Sequence, residues 1–178
     1  MLGRATLPHL GGHDVIGLTR ESAKLPLLDE LGVNGVVCDV YDRPWLLRVA
    51  EDARPELVVN FVTDLARRSA DANNRARREG GANIWDVAAA VGASRLAVES
   101  VAFDVSGEAA RAVHDLEESA RRFPNEALVL RFGRLWGPGT WYEAPPEEPR
   151  VHVEHAGAEA ARLLLHGAAG AYAVVDPR

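Results

Sequence analysis

At 178 residues and 47% apolar content, the chain can bury one good core and is too short for two full domains. A net charge of −6 argues against a nucleic-acid binder, because phosphate contacts need clustered excess lysine and arginine; a small molecule or a protein is the expected partner. The single cysteine, Cys38, excludes an intrachain disulfide, no apolar run approaches bilayer length, and no signal-peptide pattern follows Met1, so a cytoplasmic location is expected.

In chain order, Leu2, Ala5 and Leu10 share a helical face, and Gly11-Gly12 ends that helix. Asp14–Leu18 reads as a short apolar strand. Ser22 can cap a helix that carries Leu25, Leu28 and Leu31 on one face, with Pro26 in its first turn and Gly32 at its end. Val36–Val40 is a second strand. Asp42 caps a helix with Pro44 just inside it, and Trp45, Leu46 and Val49 are expected to face the core. Leu57–Val62 is a third, strongly apolar strand.

From Asp64 to Gly81 the chain turns polar, with Arg67, Arg68, Arg75, Arg77 and Arg78 set among Asp71, Asn73, Asn74 and Glu79. Without interleaved aromatics this reads as a solvated helix flank rather than a nucleic-acid face. Ile84, Val87, Ala88 and Val91 then restore an apolar stripe up to Gly92, and Leu96–Val98 is a fourth strand ending at Glu99-Ser100. Glu108–Arg122 is a helix with Ala112, Leu116 and Ala120 inward and Ser106 as candidate cap.

Ala127–Gly139 organises the chain: Leu128, Val129 and Leu130 form a core strand that runs into the rigid Gly137-Pro138-Gly139 turn. In a parallel sheet ligands sit beyond the carboxyl ends of the strands, so Phe132, Gly133, Arg134 and Trp136 either emerge where chemistry takes place or form an ordinary strand-to-loop exit. A proline-rich loop (143–149), a helix from about Glu154 to Leu165 and a last strand Ala171–Val175 complete the pattern. Alternating strands and helices at this spacing predict an α/β fold, a three-layer parallel sheet with right-handed crossovers.

Taken in order, GRATLPHL, HDVIGLTR, VVCDVYD, ELVVNFVTD, LAVESVAF, LRFGRLWGPG and VHVEHAG resemble the extended and atypical short-chain dehydrogenase/reductases, the NAD-dependent epimerase/dehydratase group. The resemblance covers nearly the whole chain, 1–178. It implies a Rossmann fold that binds NAD or NADP, with a substrate region formed by the later segment, about 134–178. Gly3 matches the last glycine of the family's phosphate loop, but the first strand and the two earlier glycines have no counterpart, so binding is expected to be weak. An in-frame apolar strand and a Gly-x-x-Gly turn are expected upstream of Met1. Without that strand, Asp14–Leu18 and Leu57–Val62 are expected either to pair directly or to leave a gap filled by a neighbouring chain, as in a homodimer.

The resemblance further implies that Arg20, where NAD-preferring relatives carry an acid, pairs with a 2′-phosphate and so favours NADP over NAD, a solvated strand end being its alternative reading. Asp39 and Val40 correspond to the pair that holds adenine, and Asn60, Phe61, Val62 and Thr63 to the turn beside the nicotinamide ribose. Phe132 belongs to the same cofactor edge, and Ser100 falls on the catalytic serine. The family's Tyr-x-x-x-Lys is missing: aligning Leu116-Glu117 puts Arg111 and Asp115 at those positions, and Lys24, the one lysine of the chain, lies in another helix. His114 or Tyr142 is left as a possible proton donor, His114 having a surface residue as its alternative reading. Trp136, Trp141 and Tyr142 either line a substrate pocket or fill the core. His152, Glu154 and His155 are close in sequence, but extended geometry turns His155 away from the other two, and no metal site is expected. An impaired or inactive family member is the primary reading; an atypical NADP-dependent oxidoreductase or epimerase, or an NADP-sensing module, is the alternative.

Overall fold

The computed structural model describes residues 1–64 and 69–177; Arg67 and Arg68 lie outside the described residues. Its strands are all parallel to their neighbours: β1 (Ile16–Thr19) pairs β2 (Asn34–Val37), β3 (Leu57–Asn60), β4 (Arg95–Val101), β5 (Glu126–Phe132) and β8 (Gly170–Val174) form one sheet in that order, and β6 (Arg134–Trp136) pairs β7 (Arg150–His152). Helices α1 (Leu2–Thr6) and α7 (Val153–His166) lie on one side of the larger sheet. On the other lie α3 (Arg43–Ala53), α5 (Gly81–Ala90) and α6 (Gly107–Arg121). This is the three-layer α/β arrangement that the alternating pattern predicts.

The period-2 geometry of strands divides the core between those layers. Leu96, Val98 and Val129 pack with Ile84, Val87, Leu116 and Leu46, whereas Ala97, Leu128, Leu130 and Phe132 pack with Leu2, Ala156, Ala160 and Leu163. Leu128 and Leu130 are fully buried, as expected of the strand that carries the exit turn. On α6, Ala112, Leu116 and Ala120 point inward as the helical spacing requires. Asp42 caps α3, its Oδ1 accepting from the Trp45 amide at 3.1 Å.

Several boundaries differ from the sequence reading for local reasons. The first helix changes to a 3-10 turn at Leu7–His9 because Pro8 has no amide to continue the α ladder. Ser22 starts a 3-10 turn rather than capping; α2 (Leu25–Glu30) begins only around Pro26. Trp45 turns outward and donates from Nε1 to the Val37 carbonyl at 2.8 Å. Between α4 (Ala70–Arg75) and α5, residues Ala76–Gly80 form a π-helical turn. The segment after β5 is not a loop: Arg134–Trp136 is a strand laid so close to β7 that a Cβ on Gly133 would stand 2.7 Å from the Arg150 backbone.

Of the two arrangements expected for the Asp14–Leu18 and Leu57–Val62 strands, direct pairing is not found. β1 and β3 belong to separate sheets. The two sheets nevertheless share a helical layer, since Val36 of β2 and Val58 of β3 pack on the same cluster, and Arg20 after β1 reaches Asp64 after β3 at 3.7 Å. Among the described residues no helix is long and apolar enough to cross a membrane.

Candidate functional site at the carboxyl edge of the sheets

The Arg20–Asp64 pair holds the carboxyl ends of β1 and β3 level. At the next strand end, Asp39 Oδ1 accepts from the Tyr41 amide at 3.0 Å, which tightens the turn after β2 and places Val40 in the core and Tyr41 partly in it. Arg75 of α4 stacks on the Tyr41 ring with its guanidinium carbon 4.1 Å from the centroid, and burial pushes the Tyr41 phenol up. Arg20, Asp39, Val40, Tyr41, Asp64 and Arg75 are thereby gathered at one end of the molecule. Arg20 keeps 41% of its side chain exposed beside the buried Asp64.

After β3, the buried Asn60 accepts from the Val62 amide at 3.1 Å, and Asn73 accepts from the Asp64 amide at 3.1 Å. Two asparagines therefore fix the turn that carries Phe61 and Val62. Phe61 also meets the buried ring of Phe132 edge-on at 6.2 Å, so the Phe132 side chain is core while its carbonyl ends the strand edge. Gly3, by contrast, lies beside open space: a Cβ there would meet nothing within 4 Å.

Ser100 is 1% exposed and donates to Glu117 Oε1 at 2.6 Å. The same carboxylate takes Arg131 Nε at 2.9 Å and Arg121 Nη2 at 3.0 Å. Burial alone would raise the Glu117 carboxyl, but the hydrogen bonds from Arg131 and Ser100 outweigh it and hold the group below the usual carboxylate range. His114 is exposed on the outer face of α6, where it lines a groove of about 470 Å³ with Arg77, Arg78, Ala82 and Arg122. Tyr142 belongs to the β6–β7 connection, its carbonyl accepting from the Gly137 amide at 2.9 Å. No hydrogen bond joins Ser100, His114 and Tyr142 among the described residues.

Helix α6 contains neither tyrosine nor lysine. Arg111 Nε donates to Glu108 at 2.9 Å and Asp115 accepts from Arg78 Nε at 2.8 Å, so both form surface ion pairs. The neighbouring aromatic segment is built as structure: Trp136 Nε1 donates to Asp176 Oδ2 at 2.9 Å and its ring meets His152 edge-on at 4.5 Å. His155 engages Asp176 as well, at 2.9 Å, while Trp141 is 58% exposed. Glu154 sits in the first turn of α7, where the helix dipole favours a carboxylate.

Two groups at this edge escaped the sequence reading. Glu99, one residue before Ser100 and on the α1 side of β4, has its carboxyl pushed up to about 7 by burial, against the pull of the Arg77 guanidinium and the Met1 amino group. A lone acid inside the apolar run Leu96–Val101 was the available signal. Glu117 was signalled by its place on the inward face of α6, three residues before Ala120.

Arg20 and the Asp39–Val40 turn offer a guanidinium and a carboxylate at this edge, groups by which the adenosine end of a dinucleotide would be held.

Comparison with known proteins agrees with this architecture. The model of the NAD dependent epimerase/dehydratase family matches residues 1–122. A 3-diazoavenalumate denitrifying reductase from a Streptomyces species is 35% identical over 159 residues, covering 74% of this chain and 51% of the relative, so the chain spans about half the length of that protein. In fold, the chain is similar to the Thermus thermophilus UDP-glucose 4-epimerase solved with NAD, with a TM-score of 0.77, 16% identity, and coverage of 100% of this chain and 75% of that one. It is also similar to DesIV, the dTDP-glucose 4,6-dehydratase of Streptomyces venezuelae, with a TM-score of 0.72, 17% identity, and coverage of 94% and 68%. The chain belongs to the NAD-dependent epimerase/dehydratase family and has its Rossmann-like fold.

Proposed function

We propose that this chain is an NADP-type dinucleotide-binding domain, 1–178, in which the adenosine end of the site is the better-built half and catalysis is impaired. The observation that carries the reading is Arg20. It stands half-exposed at the end of β1, beside the Asp39 turn, where a guanidinium pairs with a 2′-phosphate. When bound, the nicotinamide would supply or accept the hydride; the alkoxide formed would need a proton from the protein. Support for impairment is that α6 offers no tyrosine or lysine and that Ser100 is engaged by Glu117. General acid–base help contributes about 10²–10⁴-fold, the part of catalysis that a missing proton donor would forfeit.

Calorimetry with NADPH and NADH tests this reading. The expected affinity is no tighter than the millimolar range, roughly −4 kcal/mol. In a longer form that binds the dinucleotide more tightly, Arg20→Asp should weaken NADPH far more than NADH, by on the order of 1–3 kcal/mol each for the lost pair and the added repulsion. Equal loss for both would remove Arg20 from the site.

The likeness to a denitrifying reductase favours a second reading, an active NADPH-dependent reductase whose substrate pocket is formed by 134–178 with Trp136 and Trp141. Micromolar NADPH binding, or NADPH oxidation with a panel of carbonyl compounds that Ser100→Ala abolishes, would establish it. His114 and Tyr142 would then be the proton donors to replace.

A further inference from the structure

We infer that the outer face of the β6–β7 pair binds a small aromatic carboxylate, its anion held by Arg134 and Arg150 and its ring laid along Tyr142, and that Glu147 fills the anion position in the free protein. In the register of this pair Arg134 stands opposite Arg150 and Trp136 opposite His152, and a single bridge sets Tyr142 on the other side of Trp136. Side chains two residues apart on a strand share a face, as do residues paired across a ladder. Leu135 and Val151, between these positions, turn to the core against α7. The opposite face therefore carries a row of two guanidiniums and, two residues further on, an aromatic row. At about 3.3 Å per residue the rows lie roughly 6.6 Å apart, close to the separation of ring and carboxylate in a short arylalkanoate.

The guanidinium row is short of counter-charge. Like charges directly opposite on neighbouring strands, about 4.8 Å apart at the backbone, repel. Among the described residues Glu147 is the one carboxylate that meets either arginine, its Oε1 3.0 Å from Arg134 Nη2. Arg150 Nη1 donates instead to the Pro146 carbonyl at 2.9 Å, and Arg134 Nη1 to the Glu148 carbonyl at 3.3 Å. Both side chains thus converge beneath 146–148 of the proline-rich loop, yet Glu147 reaches Arg134 alone. A ligand carboxylate placed between the two guanidiniums takes a hydrogen bond from each, which is its advantage over the internal occupant.

Arg134 is preorganised for this role and Glu147 is exchangeable. The Arg134 side chain is only 19% exposed, and its guanidinium carbon lies 4.6 Å from the centroid of the Phe103 ring, which fixes the plane of the fork. Glu147 is 79% exposed, and an ion pair so open to water contributes little, so its carboxylate leaves at small cost. In the aromatic row Trp136 is fixed by Asp176 and His152, whereas Tyr142 is 38% exposed and offers its ring to a ligand. Phe103 and Arg134 each follow the carboxyl end of a strand, β4 and β5, so the site opens at the edge where ligands of parallel sheets bind. The inference rests on the reading of 134–178 as the substrate region.

Calorimetry on the full chain without any dinucleotide tests the site. The probes are 3-phenylpropionate, which can use both rows, propionate and inorganic phosphate, which can use the guanidiniums alone, and 3-phenylpropionamide, which keeps the ring and lacks the charge. Saturable binding of 3-phenylpropionate is expected, at least tenfold tighter than that of each other probe. Glu147→Gln, a change at an exposed loop position, should tighten it at least threefold by removing the internal competitor. Arg150→Gln leaves the Phe103–Arg134 stack in place and should weaken it at least tenfold with the Tm of the free protein unchanged. No saturable binding, equal binding of the amide or of phosphate, or an affinity that Glu147→Gln leaves unchanged or lowers would overturn the proposal. Because no dinucleotide is present, that failure would leave the NADPH reading standing, and a failure of NADPH to bind would leave this site standing.

Discussion

Replacing Glu99 by glutamine isolates the energetic consequence of placing a carboxyl group in an apolar strand. Glu99 alternates with Ala97 on the face of β4 that meets the α1 and α7 layer, and burial raises its carboxyl from an ordinary 4.5 to about 7 even though Arg77 and the Met1 amino group favour the charged form. The unfolded chain loses this proton near the ordinary value and the folded chain keeps it to about 7. Between those limits the folded state binds more protons, so stability falls as pH rises, by as much as about 1.4 kcal/mol per pH unit. Over the whole interval the loss approaches about 3 kcal/mol and then levels off. Glu99→Gln retains the shape and cannot ionise. Urea unfolding of both proteins from about pH 4.5 to 8 should show the stability difference, variant minus wild type, climbing by about 3 kcal/mol across that range. Other titrating groups are common to both proteins and cancel. A difference that stays flat to within about 0.5 kcal/mol would refute the claim that the Glu99 carboxyl is desolvated in the fold.

The second carboxyl of this region behaves in the opposite sense. Glu117 is held below the usual range by Arg131 and Ser100, so its contribution is present above the unfolded pKa and is lost as pH falls through the folded one. Glu117→Gln should cost about 1–3 kcal/mol in urea unfolding at pH 7 and progressively less below about pH 4, while an unchanged penalty in acid would contradict the charge-based account. Gly157→Ala should loosen α1 from α7, because the added Cβ would stand 2.2 Å from the Ala5 carbonyl oxygen; faster amide exchange in 2–6 and a lower Tm are the readouts. Leu130→Ala, in a fully buried position on β5, should cost about 2–5 kcal/mol, and a loss below about 1 kcal/mol would mean that the layer beneath α7 is less tightly packed than described.

The fold was legible because period and punctuation are local properties. Leu128-Val129-Leu130 can only be a buried strand, Asp42-x-Pro44 begins a helix, and the stripe Ala112, Leu116, Ala120 turns one side of α6 inward, each through contacts a few residues apart. The family resemblance likewise rests on motif order along nearly the whole chain, of which the family's model matches residues 1–122. Other features depended on partners far away in sequence. Ser100 is drawn to a carboxylate 17 residues on, Glu117, whose own charge is stabilised from the next strand by Arg131. Trp136, His152 and His155 are organised by Asp176 near the end of the chain, 40 residues beyond Trp136. For β1 and β3 the motif order left direct pairing and a gap both open; that they fall in separate sheets, with Val36 of β2 and Val58 of β3 resting on one helical cluster, was decided by tertiary packing between segments far apart in sequence.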